Sequence, residues 1–543
     1  MQQIKDAETS QQVVRLVQQA GPLCNAFLFS AAVNRVAQLH KQQARASNQT
    51  ALASLLAFAE DHPAVLDHVA VVQTVYAGGV LRHQLTPQQL AAWQELLVWA
   101  FGHQKLERQN VSNGLWGWSR MGLLLQGQLA LAAEAANVRL AEQMKPQEVS
   151  NTLVAYAHGG WQLSSTAAAA LLQRLEQVLP GAKPQEVSNS LWAAAKLGLP
   201  LSDGLNAALL QRLEQVLSEA NPQAVSNSLW AAAKLGLQLS GSLKAAFVQA
   251  LPRIIPAATS QALANSLWAC GTLGWSPGQP VLAAAVAAMR RLVASRTVDG
   301  QHVCNFMWGL AELQDMGAPL PDTLPALLEA AAGWASSCWG QLSALTVTDL
   351  CYNLARLGHR PGSDWIGSAI ARGLECNAAG AVGGVCVASF IWACSAWGHR
   401  LQRSELEQLV STAVDCICAD WPEPGRGGAL RLAGALARQD CFRLGPDHPA
   451  ASAAIEARLL PLVNADIDLV TAGRLHPKTG GLSYLASWAS HLAAIGLRLP
   501  EQQLEAICSY VSTHLQQLSK GHVKLLRTAF EAWGYQPGLA LLA

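Results

Sequence analysis

The stretch Pro184-Gln-Glu-Val-Ser-Asn-Ser-Leu-Trp-Ala-Ala-Ala-Lys-Leu-Gly198 returns almost letter for letter as Pro222–Gly236, 38 residues further on. Aligned on its asparagine, the block belongs to a series Asn113, Asn151, Asn189, Asn227 and Asn265 with no insertion or deletion between copies. A second strip keeps the same step, since Leu171–Leu179 and Leu209–Leu217 both read Leu-Leu-Gln-Arg-Leu-Glu-Gln-Val-Leu. A unit of this length cannot bury an apolar face by itself and becomes stable by stacking on its neighbours.

Both halves of the unit read as helices. Pro184 and Pro222 fit the first helical position, Asn221 fits an N-cap, and Gly198 and Gly236 fit the left-handed residue that ends a helix. In the other half, Ser202 or Asp203 and Ser240 or Ser242 are candidate starters, and Leu205, Leu209, Leu213 and Leu217 fall along one face. The expectation is an all-α chain, an α-solenoid superhelix of stacked helical hairpins with a 38-residue repeat. Residues 1–107 read as worn N-terminal repeats, 108–275 as the regular repeats and 276–420 as drifted ones. Residues 421–543 read as worn C-terminal repeats with a loop-rich start, where Pro422, Pro424, Gly425, Gly427 and Gly428 suggest a loop and Leu430–Arg438 a degenerate helix.

Composition agrees with a packed array. The 543 residues would ordinarily make several domains, but a solenoid grows in one dimension, so one continuous domain is expected. With 51% hydrophobic and 13% charged residues the chain is too apolar to remain disordered. No apolar run reaches the ~18–20 residues of a membrane helix. Asp6 and Glu8 do not suit an acid-poor transit peptide, so the sequence begins either without a cleaved leader or inside a longer protein. The 12 cysteines are scattered through apolar helical contexts, which suits a reduced compartment, and Cys416 with Cys418 lacks the second pair that a zinc site needs. No metal or cofactor is expected. Nor is an enzyme, because the sequence holds no phosphate-binding loop, nucleophile elbow or metal-spaced cluster of histidines and acids.

The second-helix block Val-Ser-Asn-Ser-Leu-Trp-Ala-x-x-x-Leu-Gly resembles the octotricopeptide repeat family of green algae, itself distantly related to the FAST-kinase-type proteins of mitochondria. The columns that carry the resemblance are Asn113/Leu115/Trp116/Gly122, Asn189/Leu191/Trp192/Gly198, Asn227/Leu229/Trp230/Gly236 and Asn265/Leu267/Trp268/Gly274. It implies a chloroplast or mitochondrial factor that binds single-stranded organellar RNA and supports stabilisation, processing, splicing or translation of a transcript. RNA-processing or ribosomal proteins are further partners that the resemblance allows. The chain has neither the Pro-Pro-Pro-Glu-Trp signature of many members nor a recognisable RAP domain, so no nuclease activity is carried over.

RNA reading by helical repeats needs a polar stripe on one helix of each unit. Gln185, Asn189 and Lys196 share such a face, at offsets of four and seven. In other copies the last position passes through Arg120, His158, Lys234, Thr272, Glu312 and Arg356, whereas the asparagine hardly changes. A base-reading position should vary and a scaffold position should not. Arg120, His158, Lys196, Lys234, Thr272 and Arg356 are therefore the candidate RNA contacts, with a solvated helix face as the plainer account. Asn113, Asn151, Asn189, Asn227 and Asn265 are expected to be structural, tying repeats or loops by hydrogen bonds. Trp116, Trp192, Trp230 and Trp268 are expected to pack between hairpins, since Val154 and Tyr352 occupy the same register, with base stacking as the other reading. The balance of 37 Lys and Arg against 36 Asp and Glu argues against a strongly basic groove. A protein-binding scaffold, for instance an assembly component of an organellar ribosome, stays open beside RNA binding.

Overall fold

The computed structural model describes residues 1–378, 383–419, 421, 425–438, 444–475 and 481–542. Among these residues the chain is built of helices, with no strand. It divides into two compact units, Met1–Ala284 and Ala285–Ala543. Each is a stack of helical hairpins, an all-α solenoid arrangement in which every helix packs on elements near it in sequence.

In the N-terminal unit the regular hairpins pair Gly127–Leu140 with Pro146–Gly159, Ser165–Val178 with Pro184–Leu197, Asp203–Val216 with Pro222–Lys234, and Gly241–Ile254 with Ser260–Thr272. A single 3-10 turn joins the two helices of each hairpin, at Ala141–Gln143, Leu179–Gly181, Leu217–Glu219 and Ile255–Ala257. Upstream, Pro87–Gly102 pairs with Arg108–Arg120 and Ala46–Asp61 with His68–Leu81. The worn copy at Val33–Leu39 lies in the helix Ala26–Gln42.

Local chemistry explains the boundaries. Ser164, Ser202 and Ser240 cap the first helices, accepting from the amides of Ala167, Leu205 and Leu243 at 3.3, 3.1 and 3.0 Å. Pro184 and Pro222 open second helices, and Gly198 and Gly236 sit at φ 63° and 67°, a conformation that penalises any residue with a Cβ. Two capping solutions serve the second helices. Where Lys183 precedes the proline, the Glu186 carboxylate accepts from the Lys183 amide at 2.7 Å. In the next copy Ala224 replaces that glutamate, and the Asn221 side chain accepts from the Ala224 amide at 2.8 Å. Asn221→Ala leaves this end without either device, and the expected loss is about 1 kcal/mol, read as a lower urea midpoint with unchanged slope.

The second helices pack most closely on one another. Val111, Val149, Val187 and Val225 and the leucines Leu115, Leu153, Leu191 and Leu229 are fully buried between them, with alanines such as Ala193 and Ala231 as spacers. Small residues set how near the helices come. Gly79 and Gly117 face each other so closely that a Cβ on Gly79 would stand 2.6 Å from the Gly117 carbonyl oxygen.

The first helices are tied differently. Arg174 Nε donates to the Met144 carbonyl at 2.7 Å and Arg212 Nε to the Ala182 carbonyl at 2.9 Å, each reaching the link of the preceding hairpin. Arg139 to Phe101 (3.0 Å) and Arg253 to Ala220 (2.9 Å) repeat the contact. Met144, Ala182 and Ala220 close 3-10 turns and Phe101 lies in the last turn of a helix, so these charged donors meet carbonyls at C-terminal ends, a favourable pairing. Much of the basic content of the first helices is therefore structural.

The C-terminal unit continues with Gly300–Asp315, Leu324–Ser336, Ala344–Arg356, Ser363–Ala378, Gly384–Ala396 and Arg403–Ala419. After these come Gly425–Ala437, Pro449–Ala454, Leu460–Thr471, Gly481–Ala494, Glu501–Thr513 and Lys520–Trp533. The loop expected from Pro422 to Gly428 is corrected in part. Pro422 and Pro424 lie outside the described residues, but Gly425, Gly427 and Gly428 begin a helix. Gly428 is needed there for proximity rather than for turning, since its Cβ would meet Ile417 and Val385 side chains at 3.1 Å. Tryptophan indoles staple neighbouring hairpins, as Trp397 Nε1 does on the His359 carbonyl at 2.8 Å and Trp533 Nε1 on that of Leu497 at 2.7 Å.

Candidate nucleic-acid interface

Each second helix of the N-terminal unit leaves one side uncovered, because its other sides are pressed against the flanking second helices and the first helix that follows it. On Pro184–Leu197 the open line is Gln185, Asn189, Trp192 and Lys196. The same line reads Gln109, Asn113, Trp116, Arg120, then Gln147, Asn151, Val154, His158. It continues as Gln223, Asn227, Trp230, Lys234 and Gln261, Asn265, Trp268, Thr272. Offsets of four, three and four keep these residues on one stripe, about 16 Å long at 1.5 Å per residue. No carboxylate occupies any of these positions in the five helices.

The tryptophans pack between neighbouring second helices without being fully enclosed. Trp116, Trp192, Trp230 and Trp268 are half-buried, whereas the leucine just before each is buried completely or nearly so. They lie on the rim of the core with one edge in the open stripe. Their rings meet aromatic side chains of adjacent helices: Tyr76 and Trp116 have centroids 5.3 Å apart, His158 and Trp192 4.9 Å, and Trp230 and Trp268 6.4 Å. Only Val154 in this register is buried.

The asparagines lack the hydrogen-bond ties expected of them. Asn113, Asn151, Asn189, Asn227 and Asn265 are half-buried, and their side-chain amides make no hydrogen bond among the described residues. The inter-repeat ties that constancy suggested are made instead by the first-helix arginines. The exposed glutamines of the stripe likewise make no side-chain hydrogen bond there.

Cations follow the aromatic line. Lys41 Nζ donates to the Tyr76 hydroxyl at 2.7 Å and lies 5.1 Å from that ring's centroid. The Arg120 guanidinium lies 5.8 Å from the Trp116 centroid, with its Nε buried and unpartnered. Burial and the nearby Arg82 pull Arg120 below its ordinary pKa. His158 is lowered too, by desolvation and then by Arg120 and Lys196. Lys196, Lys234 and Thr272 are exposed, and neither lysine forms an ion pair among the described residues. The structure thus brings five of the six candidate contacts onto one face.

The sixth, Arg356, lies in the C-terminal unit and is committed elsewhere. Its side chain is only 10% exposed, paired with Glu312 at 2.9 Å and with Asp315. Its guanidinium also lies 5.5 Å from the Tyr352 ring centroid. In this unit Asp349 takes the asparagine position, and burial pushes its carboxyl up to about 6 against the opposing pull of Arg431. Arg431 and Arg438 lie over Tyr352 and Trp392, at 4.9 and 5.7 Å from the ring centroids. Sequence reasoning missed these two arginines, which stand outside the register of the regular repeats. It missed Lys41 as well, although Asn34 and Lys41 show the diagnostic offset of seven.

Among the described residues no three His, Cys, Asp or Glu side chains converge as a metal site would require. Among them, too, no helix is long and apolar enough to cross a membrane.

No protein-family model matches the chain, and no curated protein matches it. A structure described as a homology model of the full-length AP-3 complex in an intermediate open conformation is similar over 94% of this chain and 93% of that one. The identity is 11% and the TM-score 0.28, too distant to bear on function.

Proposed function

We propose that the chain is a sequence-selective single-stranded RNA-binding protein of a chloroplast or mitochondrion, acting after transcription on the stability, processing, splicing or translation of its target. The observation that supports this most is the open stripe repeated on the five second helices of the N-terminal unit, which offers amides, aromatic rings and cations without one carboxylate. Such a surface suits RNA because cations attract a polyanionic strand, rings accept base faces and amides reach its polar oxygens. It also answers the objection from the net charge of +1, since the acidic residues that balance the total lie off this stripe. The resemblance to the octotricopeptide repeat family points the same way and supplies the organelle.

Selection of the full chain against a randomised single-stranded RNA pool at physiological salt tests the reading. The expected result is one enriched motif, whose binding weakens steeply as salt rises. No enrichment by a folded protein would reject it.

The protein-scaffold alternative has one observation in its favour. On the first-helix side, Trp99 is 47% exposed at a cleft it shares with Leu66, Leu96, Glu60 and Glu95. A scaffold would yield a stoichiometric protein partner that survives nuclease treatment, with no RNA motif.

A further inference from the structure

Resting on the RNA reading, we infer that the stripe has two separate jobs. Its glutamine, asparagine and aromatic columns seat each nucleotide regardless of base, and its fourth column sets base preference.

The inference starts from an unexplained constancy. Gln109, Gln147, Gln185, Gln223 and Gln261 are identical in five copies, as are the five asparagines four residues after them. A side chain repeated for the sake of the scaffold should touch the scaffold. These glutamines are exposed, the asparagines are half-buried, and none of the ten amides hydrogen-bonds within the described protein. In the same helices Ser188 and Ser226 are repeated and do bond the fold, donating to the Gln185 and Gln223 carbonyls at 3.0 and 3.1 Å.

The parts of RNA that do not change along a strand are the ribose, the phosphate and the presence of a flat base face. What changes is the pattern of donors and acceptors on the base edge. Constant columns match the first set. A side-chain amide donates to a phosphate or 2′-hydroxyl oxygen and accepts from the same hydroxyl, and a ring stacks with any base. The column Arg120, His158, Lys196, Lys234, Thr272 varies and matches the second.

Ring geometry decides how bases are held. Tyr76 with Trp116, and Trp230 with Trp268, are already in aromatic contact at 5.3 and 6.4 Å, which leaves no slot for a base between them. Bases therefore lie on the outward edge of an aromatic floor rather than intercalated between repeats. The buried Val154 interrupts that floor, and His158 leaning on Trp192 closes the gap.

Three full-length variants test the division: W192L/W230L/W268L, N189A/N227A, and K196T. Each is measured for thermal melting and for binding to the selected motif and to poly(U), poly(A) and poly(C). Removing the rings should weaken all four ligands alike, by roughly tenfold for each ring that carries a base. N189A/N227A, which removes no side-chain hydrogen bond of the described fold, should weaken all four by about fivefold to tenfold without lowering the melting temperature. That variant keeps the test decisive should the ring variant unfold. K196T should instead change which base is enriched at one position of the motif. If the amide variant binds every RNA as the parent does while K196T weakens binding, the seat is wrong and the RNA reading stands. A parent that binds none of the four ligands refutes the RNA reading itself.

Discussion

Gly117→Ala disrupts the N-terminal unit, although it adds a single methyl group to a helix that should prefer it. On propensity alone the exchange would stabilise by ~1 kcal/mol. The neighbouring helix His68–Leu81 reverses the sign. A Cβ at Gly117 would press on the Val75 carbonyl oxygen, and would stand 2.7 Å from that carbonyl carbon and 2.8 Å from Tyr76 Cα. These are backbone atoms of a hydrogen-bonded helix, so no rotamer change relieves the clash and the helices must separate. Because Gly79, one turn further along the same helix, also presses on Gly117, the whole interface opens around the buried Val72, Val111 and Leu115. Overpacking against side chains typically costs about 1–3 kcal/mol, and a rigid backbone contact lies at or above the top of that range. In a repeat array, weakening one junction uncouples the hairpins on either side. The expected result is a melting transition that splits or falls by 5 °C or more, with early proteolysis between Gly102 and Arg120. Gly181→Ala is the control: its Cβ would meet nothing within 4 Å, so the variant should melt at or slightly above the parent temperature. Equal melting of Gly117→Ala and parent would show that these helices do not approach as described.

The contrast between Gly117 and Gly198 shows which parts of the fold were legible in sequence. Helix ends are local events, so Ser202, Asn221, Pro184, Pro222, Gly198 and Gly236 could be assigned from neighbouring letters and the 38-residue step. Close approach between helices is non-local, and an interior glycine such as Gly117 or Gly428 reads simply as a poor helix former until its neighbour is in view. The same limit applied to the candidate site. Periodicity places Asn189, Trp192 and Lys196 on one face, but it does not show which part of that face a neighbouring hairpin covers, so how far each tryptophan is enclosed is not legible from it. Constancy was the more misleading signal. It was taken to mark scaffold, and for Arg174 and Arg212, identical in both copies, it does, since each bonds the preceding link. For Asn189 and Asn227 it does not, because their amides have no partner in the described fold. Letters alone cannot separate a position held constant by the protein from one held constant by a ligand. Hydrogen-bond accounting can.

If the proposed RNA reading holds, Lys196→Glu with Lys234→Glu is expected to abolish most RNA binding while leaving the array folded. Both ammonium groups are exposed, lie one repeat apart on the open stripe and form no ion pair among the described residues, so reversing them removes no internal contact. Their surroundings are already positive or neutral, with Arg120 and His158 on one side and no carboxylate in the stripe. Two new carboxylates would therefore face the strand without local cations to mask them. Losing two positive charges beside the strand should flatten the salt dependence of binding, and added repulsion should bring the affinity loss at low salt to roughly a hundredfold or more. Surface changes of this kind usually move stability by no more than about 0.5 kcal/mol, so melting should be almost unaltered. Arg174→Gln with Arg212→Gln removes two cations from the same repeats and should do the reverse, lowering the melting temperature through lost ties to Met144 and Ala182 while the salt slope holds. Measuring both pairs over a salt series separates position from total charge. If both weaken RNA alike, binding follows net charge and the stripe has no special role. If the lysine pair alone does so, with its fold intact, RNA lies along the second helices.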